Sequence, residues 1–583
     1  MASHRAAGRA RHRRHGGWPD RAPSLARLTR DAARGDNPPT MTNPFKQIRG
    51  NKRRLSALGV VVALAVVSLA WHVRVETPRA RAASEVPVAF WAWHDDAPAE
   101  AEVERAAREG RARALFLRAG QFDLTGGRIE RIRAAGGRLP RTLPLHLVYN
   151  TTRGLLAEFE RTDEGAVASA VAETFRQDLA RASKDGAQVA GLQLDFDVPT
   201  RLLPRYERVL RGVRGQLPQG AQLSVTGLPT WMQSSTLGQT LDAVDFWTPQ
   251  CYGATIPERI EDVTPISSPE LVASCVARAR RAGRPFYAGL AAYGYAILYD
   301  TRGALVELRG DLDPASVARN PNFELLERRP FPASNTEKGV GDNDAAGAEK
   351  IDAASSSPAV SREWRYVYRA LGEGIVDNLP VRAGDRLVLD VPSAETLRAT
   401  ARAAREQGGA QLSGLCIFRL PGEQDPTTLT LPQVIAAIND APARTNTDVR
   451  IERVVPPRAG QLRVEASNDG EAGALFGDDA LTVTLRVPAG SVRGVVSMEN
   501  VAAVESLCGA SSGIELQPCS MRRADTLRLR AATWQPGANA RAVLSFDDGR
   551  LPSQLPVRVA VRTDDGRAWQ SERLTWTQKG TSQ

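Results

Sequence analysis

Between Val86 and Gly422 the chain alternates short apolar runs with amphipathic helical stretches, and this alternation constrains the fold more than any other feature. The apolar runs are Val88–Trp93 (VAFWAW), Ala114–Leu117 (ALFL), Leu143–Tyr149 (LPLHLVY) and Leu192–Asp197 (LQLDFD). They continue with Gln222–Leu228 (QLSVTGL), Phe246–Tyr252 (FWTPQCY), Pro285–Tyr293 (PFYAGLAAY) and Leu415–Leu420 (LCIFRL). Helical periodicity falls between them at Glu100–Glu109, Ala166–Ser183, Leu202–Leu217, Pro269–Ala282 and Ala394–Gln407. Alternating strand and helix patterns imply parallel strands joined by crossover helices, and eight such units imply a closed (β/α)8 TIM-like barrel. An open doubly wound sheet is the main alternative. It wants a Gly-rich phosphate loop after its first strand. That position here reads Trp93-His94-Asp95-Asp96.

The predicted barrel domain runs over 86–440. Its last two strands are separated by a long connection. Within it Ser334–Ser361 is rich in Gly, Ser, Ala and Asp, which predicts a disordered or mobile loop. Arg386–Val391 (RLVLDV) reads as an extra strand. Past a helical stretch near Leu431–Asn439 the pattern changes. Residues 446–583 carry alternating runs at Gln461–Ala466, Leu481–Val487, Thr526–Ala531, Ala542–Phe546 and Val557–Val561. Turn residues separate them, which predicts an all-β sandwich. The fold class is therefore α/β, a barrel followed by a C-terminal sandwich that carries no evident catalytic cluster.

The net charge of +10 suggests a nucleic-acid partner until its distribution is considered. Residues 1–54 hold 14 Lys/Arg against 3 Asp/Glu, leaving 62 against 63 for the rest. The foldable part is close to neutral and carries no overall phosphate-binding field, so no nucleic-acid partner is expected. The basic segment 1–54 reads as disordered. Apolar residues 55–73 follow Lys52-Arg53-Arg54, the pattern of a signal-peptide core or an uncleaved signal anchor. A linker, 74–85, contains Ala80-Arg81-Ala82, a possible cleavage site, and Met41 opens a more ordinary signal sequence than Met1. The expectation is export, with the globular part outside the cytoplasm and a membrane contact only where the segment stays uncleaved.

Cys508 and Cys519 are close enough in sequence to pair in an oxidising compartment. Cys251, Cys275 and Cys416 lie in apolar stretches and read as buried thiols. Only His94 and His146 lie beyond the export segment, so neither a metal site nor a cofactor is expected.

In a barrel the reactive groups gather at the C-terminal ends of the strands. There the sequence places Trp91, Trp93 and Asp95 (strand one), Tyr149 (three), Asp195 and Asp197 (four) and Trp231 (five). Gln250 and Tyr252 end strand six, Tyr293 strand seven and Arg419 strand eight. Alternate residues of a strand face one side, so both acids point one way, roughly 6–7 Å apart at the backbone. Repulsion between close carboxylates raises one pKa and leaves the other ionised, a division of acid and base roles that glycoside cleavage uses. Aromatic faces and planar polar groups suit a sugar. Asp197, Asp195 and Tyr252 are the catalytic candidates, and Trp91, Trp93, Asp95, Tyr149, Trp231, Gln250, Tyr293 and Arg419 the substrate-binding ones. The alternative is a structural D-x-D in a barrel that binds a glycan or an envelope partner without cleaving it.

Two resemblances follow. Ala190–Pro199 (AGLQLDFDVP) resembles the strand-four signature of family-eighteen glycoside hydrolases (chitinase-like barrels). By that resemblance Asp195 positions the substrate amide and Asp197 stands for the catalytic Glu. Gln250–Gly253 resembles their strand-six motif and Gly289–Gly294 their strand-seven motif. Ala190 and Gln193 replace the first two acids, Asp197 is one methylene short, and Gly253 lacks the strand-six Asp. The combination of Leu194–Asp197, Thr226–Pro229, Gln250–Gly253 and Ile417–Pro421 resembles an uncharacterised family of exported bacterial proteins, domain of unknown function 3142. That resemblance implies export and a barrel, with no established reaction.

Overall fold

The computed structural model describes residues 86–253, 257–330, 364–422, 425–454, 460–509, 515–547, 551, 554–563 and 568–577. The basic segment, the apolar run, the linker and the loop 334–361 lie outside them. All described residues belong to one compact unit, Val75–Gln583. None of their helices is long and apolar enough to cross a membrane.

Eight parallel strands form the barrel: β1 (Val88–Ala92), β2 (Ala112–Thr125), β3 (Leu145–Thr151) and β4 (Val189–Asp195), then β5 (Gln222–Gly227), β6 (Phe246–Pro249), β7 (Phe286–Ala291) and β8 (Leu412–Phe418). Each pairs with its neighbours in sequence, β8 pairs with β1, and β1 with β2, so the sheet closes. The five expected helices are present, each within a few residues of its predicted bounds.

Alternation divides the side chains. Outward residues such as Phe90, Leu115, Leu147, Leu192 and Leu194 join the core under the helices. Inward ones, Ala89, Trp91, Ala114, Phe116, Val148, Phe246 and Cys416, fill the lumen. Gly289 makes room for the largest of them. A Cβ there would lie 2.8 Å from the Pro249 carbonyl oxygen and 3.2 Å from the Trp91 ring.

Three elements depart from the sequence reading. β2 is far longer than ALFL. It rises past the barrel rim and folds back as an antiparallel hairpin with Arg128–Ala134. That partner strand reads RIERIRA, too charged to be recognised as a strand. The long connection holds a five-stranded antiparallel sheet, Leu305–Arg309, Tyr295–Tyr299, Arg386–Val391, Trp364–Ala370 and Phe323–Pro330 in spatial order, where only Arg386–Val391 was expected. Its core includes Leu475 and Phe476 from the C-terminal region. Cys251 and Cys275, expected as thiols, form a disulfide that ties the end of β6 to the helix Pro269–Arg281. The Cys508–Cys519 disulfide forms as expected, and Cys416 is a buried free thiol.

The C-terminal region is two antiparallel sheets of four and six strands that share one core, the predicted sandwich. Arg328 of the inserted sheet reaches across to Asp479 at 2.6 Å and to the Phe476 carbonyl at 3.0 Å.

Candidate active site at the barrel mouth

β4 delivers both acids to the C-terminal mouth. Asp195, its last residue, accepts a hydrogen bond from the Thr226 hydroxyl at 2.6 Å and a long one from the Gln250 amide at 3.5 Å. Burial, then the neighbouring Asp197, push its pKa up to about 7, against the pull of Thr226 and Arg118. Asp197 lies two residues on. The residue is exposed, and partial burial of its carboxyl raises its pKa too. Among the described residues no group donates a hydrogen bond to it. The inner member of the pair, Asp195, therefore retains its proton close to neutrality, and Asp197 is the member that faces solvent.

Gln193 sits one inward step below Asp195 and is fully buried. Its Oε1 accepts from the Trp91 indole at 2.7 Å, and its Nε2 donates to Thr248 at 3.1 Å and Ser224 at 3.4 Å. This neutral network takes the place of the acid that the family-eighteen resemblance calls for.

An aromatic group lines the other side. Phe418, the last residue of β8, touches Trp91, Trp93, Tyr252 and Tyr293, with ring centres 5.2–5.9 Å apart. The Tyr252 hydroxyl is held neutral by burial and by nearby Tyr293, Asp195 and Asp197. The Phe418–Arg419 peptide is cis.

Of the residues singled out from sequence, Asp195, Asp197, Gln250, Tyr252, Tyr293 and Trp93 converge at the mouth. Four others need correction. Trp91 is 2% exposed and fills the lumen, hydrogen-bonded to Gln193. Tyr149 has the outward parity, is fully buried, and donates to Asp178 of the helix Glu164–Asp185 at 2.9 Å. Trp231 is buried against Tyr206, its indole donating to the Val198 carbonyl at 2.8 Å. None of these three presents a surface to a ligand, because each ring is buried. Arg419 is committed to a buried carboxylate. It grips Asp425 through Nε at 2.8 Å and through a second nitrogen, while His94 Nε2 lies 3.0 Å from the same side chain. Burial alone would raise the Asp425 pKa, but these partners hold it below its ordinary value.

Asp95 is exposed and paired with Arg118 and Arg133. Sequence reasoning missed both arginines, and it passed over Phe418 for its neighbour Arg419. Arg118 was visible in the parity of β2, since positions 114, 116 and 118 share the lumen face. Asn150, in register with Asp195, has a buried Oδ1 without a described hydrogen-bond partner.

Residues 154–321 match the family model described as Domain of unknown function (DUF3142). The match takes in the acid pair, Thr226–Pro229 and Gln250–Gly253, three of the four motifs that carried the resemblance. A comparison with curated proteins finds no match. Solved structures similar to this chain include the spore cortex-lytic enzyme SleL of Bacillus cereus, 15% identical over 61% of this chain and 74% of that one, TM-score 0.37. A chitinase from Chromobacterium violaceum is 15% identical over 61% and 98%, TM-score 0.39. A class V chitinase from Pseudomonas fluorescens is 15% identical over the same shares, TM-score 0.37.

Proposed function

We propose that this chain is an exported glycoside hydrolase-like protein that cleaves an envelope or extracellular polysaccharide by carboxylate acid/base chemistry. The observation that carries this reading is the acid pair. Two carboxyls on one strand end share a barrel mouth, both have raised pKa values, and the outer one is open to water. Asp197 is the general acid that gives its proton to the glycosidic oxygen. Asp195 lies behind it, keeps the pair's proton affinity high, and is fixed by Thr226 and Gln250. The Tyr252 hydroxyl, neutral at any physiological pH, donates toward the developing charge. Trp93, Tyr293 and Phe418 offer ring faces to the sugar. Two disulfides support an oxidising compartment and so export.

A second reading has its own observation. Gln193 is neutral and saturated by its partners, so the acid pair stands without the carboxylate that the resemblance calls for. This favours a barrel that binds a glycan or an envelope partner without cleaving it. The test is a screen of residues 86–583 against envelope and biofilm polysaccharides, reading release of reducing ends. Wild type should release them and Asp197→Asn should lose at least about 100-fold of the rate, as expected when a positioned acid is removed. Release that survives in Asp197→Asn refutes the assigned role. Binding without release supports the second reading.

A further inference from the structure

The rim of the mouth carries two ion-paired carboxylates of opposite character. Asp425 is 3% exposed and gripped by Arg419 and His94, a fixed part of the wall. Asp95 is 72% exposed and held between Arg118 and Arg133. Arg118 Nη1 lies 3.2 Å from its Oδ1, and Arg133 Nη1 lies 3.0 and 3.2 Å from its two oxygens. Arg118 is inside the site. It points inward from β2 with only 14% of its side chain exposed, 5.3 Å from the centre of the Trp93 ring and within electrostatic reach of Asp195. Arg133 comes from the hairpin strand above the rim and is half exposed.

Two guanidiniums that converge on one carboxylate make a receptor for a carboxylate, since the planar fork of arginine matches that group. The carboxylate now in it belongs to an exposed loop side chain, and exposed ion pairs contribute little, so it can be exchanged. We propose that Arg118 and Arg133 clamp an anionic substituent of the saccharide, a sugar carboxylate, and that Asp95 occupies the clamp until the substrate displaces it. The inference rests on the saccharide reading above and narrows it to acidic glycans. A uronate-type ring would lie on Trp93 with its carboxylate on the guanidinium beside that ring. A neutral sugar gains nothing from displacing Asp95.

The test uses an array of uronic-acid oligosaccharides, each matched to its carboxyl-reduced counterpart, with the full chain and four variants. Wild type should bind the carboxylated member at least 10-fold more tightly, with a preference that narrows as salt is raised. Arg118→Gln should abolish the preference, and Arg118→Lys should keep part of it. Asp95→Ala, which removes the internal competitor, should tighten carboxylated ligands several-fold and leave reduced ones unchanged. Equal binding of both members overturns the inference and leaves the saccharide reading intact. So does weakening of both by Asp95→Ala, the outcome of a merely structural ion pair. Binding of neither member of any pair overturns both. If Arg118→Gln does not fold, Arg133→Gln and Asp95→Ala, both at exposed side chains, decide the matter.

Discussion

Replacing Asp195 by Asn should stabilise the barrel, and by an amount that depends on pH. Asn keeps the shape and leaves an oxygen for Thr226 to donate to, but it removes the charge. Below pH 3.8 the aspartic carboxyl is protonated in both folded and unfolded chains, so wild type and variant differ little. Above that value the unfolded chain ionises freely, while the folded one holds its proton until about pH 7. Wild type therefore loses stability relative to the variant across this window, and the loss is complete above about 7. The interval from 3.8 to about 7 corresponds to about 4 kcal/mol at ~1.4 kcal/mol per pKa unit. Partial exposure of Asp195 and its interaction with Asp197 reduce the expected gap to on the order of 2–3 kcal/mol. Urea unfolding followed by the fluorescence of buried Trp91, Trp231 and Trp247 measures it at pH 4 and pH 8.5. The gap should open with pH and favour Asn. A gap that stays constant, or a wild type more stable at pH 8.5, would show that Asp195 is not a buried carboxyl strained by ionisation.

The same pair predicts a hydrolytic rate that falls as rising pH strips the proton from Asp197, whose pKa burial raises, because the acid must be protonated to act; a rate that climbs steadily with pH contradicts the assignment. Replacing Cys251 and Cys275 together by Ser should lower stability by about 3 kcal/mol, the loop-closure value for a separation of 24 residues, read as a lower urea midpoint than wild type. Gly289→Ala should cost about 1–3 kcal/mol, since its methyl meets the Pro249 carbonyl and the Trp91 ring, and near-ultraviolet circular dichroism should report the disturbed indole.

How much of this was legible in the sequence depended on whether a local pattern carried the information. The eight barrel strands were visible because strands buried on both faces read as continuous apolar runs. The sandwich strands were visible because one buried face gives alternation. The hairpin strand Arg128–Ala134 was hidden because it lies above the rim with most of its side chains in water, only Ile129 and Arg131 turning toward the protein. The inserted sheet was hidden because strands such as Phe323–Pro330 (FELLERRP) and Trp364–Ala370 (WRYVYRA) mix charged and apolar residues. Its apolar residues pack within that sheet and onto Leu475 and Phe476, a partner more than a hundred residues away. At the site, parity separated Asp195 and Asp197 from their neighbours correctly. It would also have separated Tyr149, whose outward parity sends it to Asp178. Trp91 has the inward parity and still contributes no surface, because Gly289 lets it sink into the lumen. The Cys251–Cys275 disulfide followed from barrel geometry, which brings a strand end beside the next helix.

The surroundings of the acid pair connect the clamp to the chemistry. A third acid at position 193 would add a negative charge beneath Asp195 and raise its proton affinity. Gln193 supplies none, so the elevation rests on burial and on Asp197 alone, and Arg118 pulls against it. Arg118 thus limits how firmly the pair holds its proton. A carboxylate seated on Arg118 screens that pull, as Asp95 does only from an exposed position. A more enclosed substrate carboxylate in the clamp would screen it better and raise the proton affinity of the pair as the glycan binds. The acidic substrate would then help the pair to hold its proton as it binds.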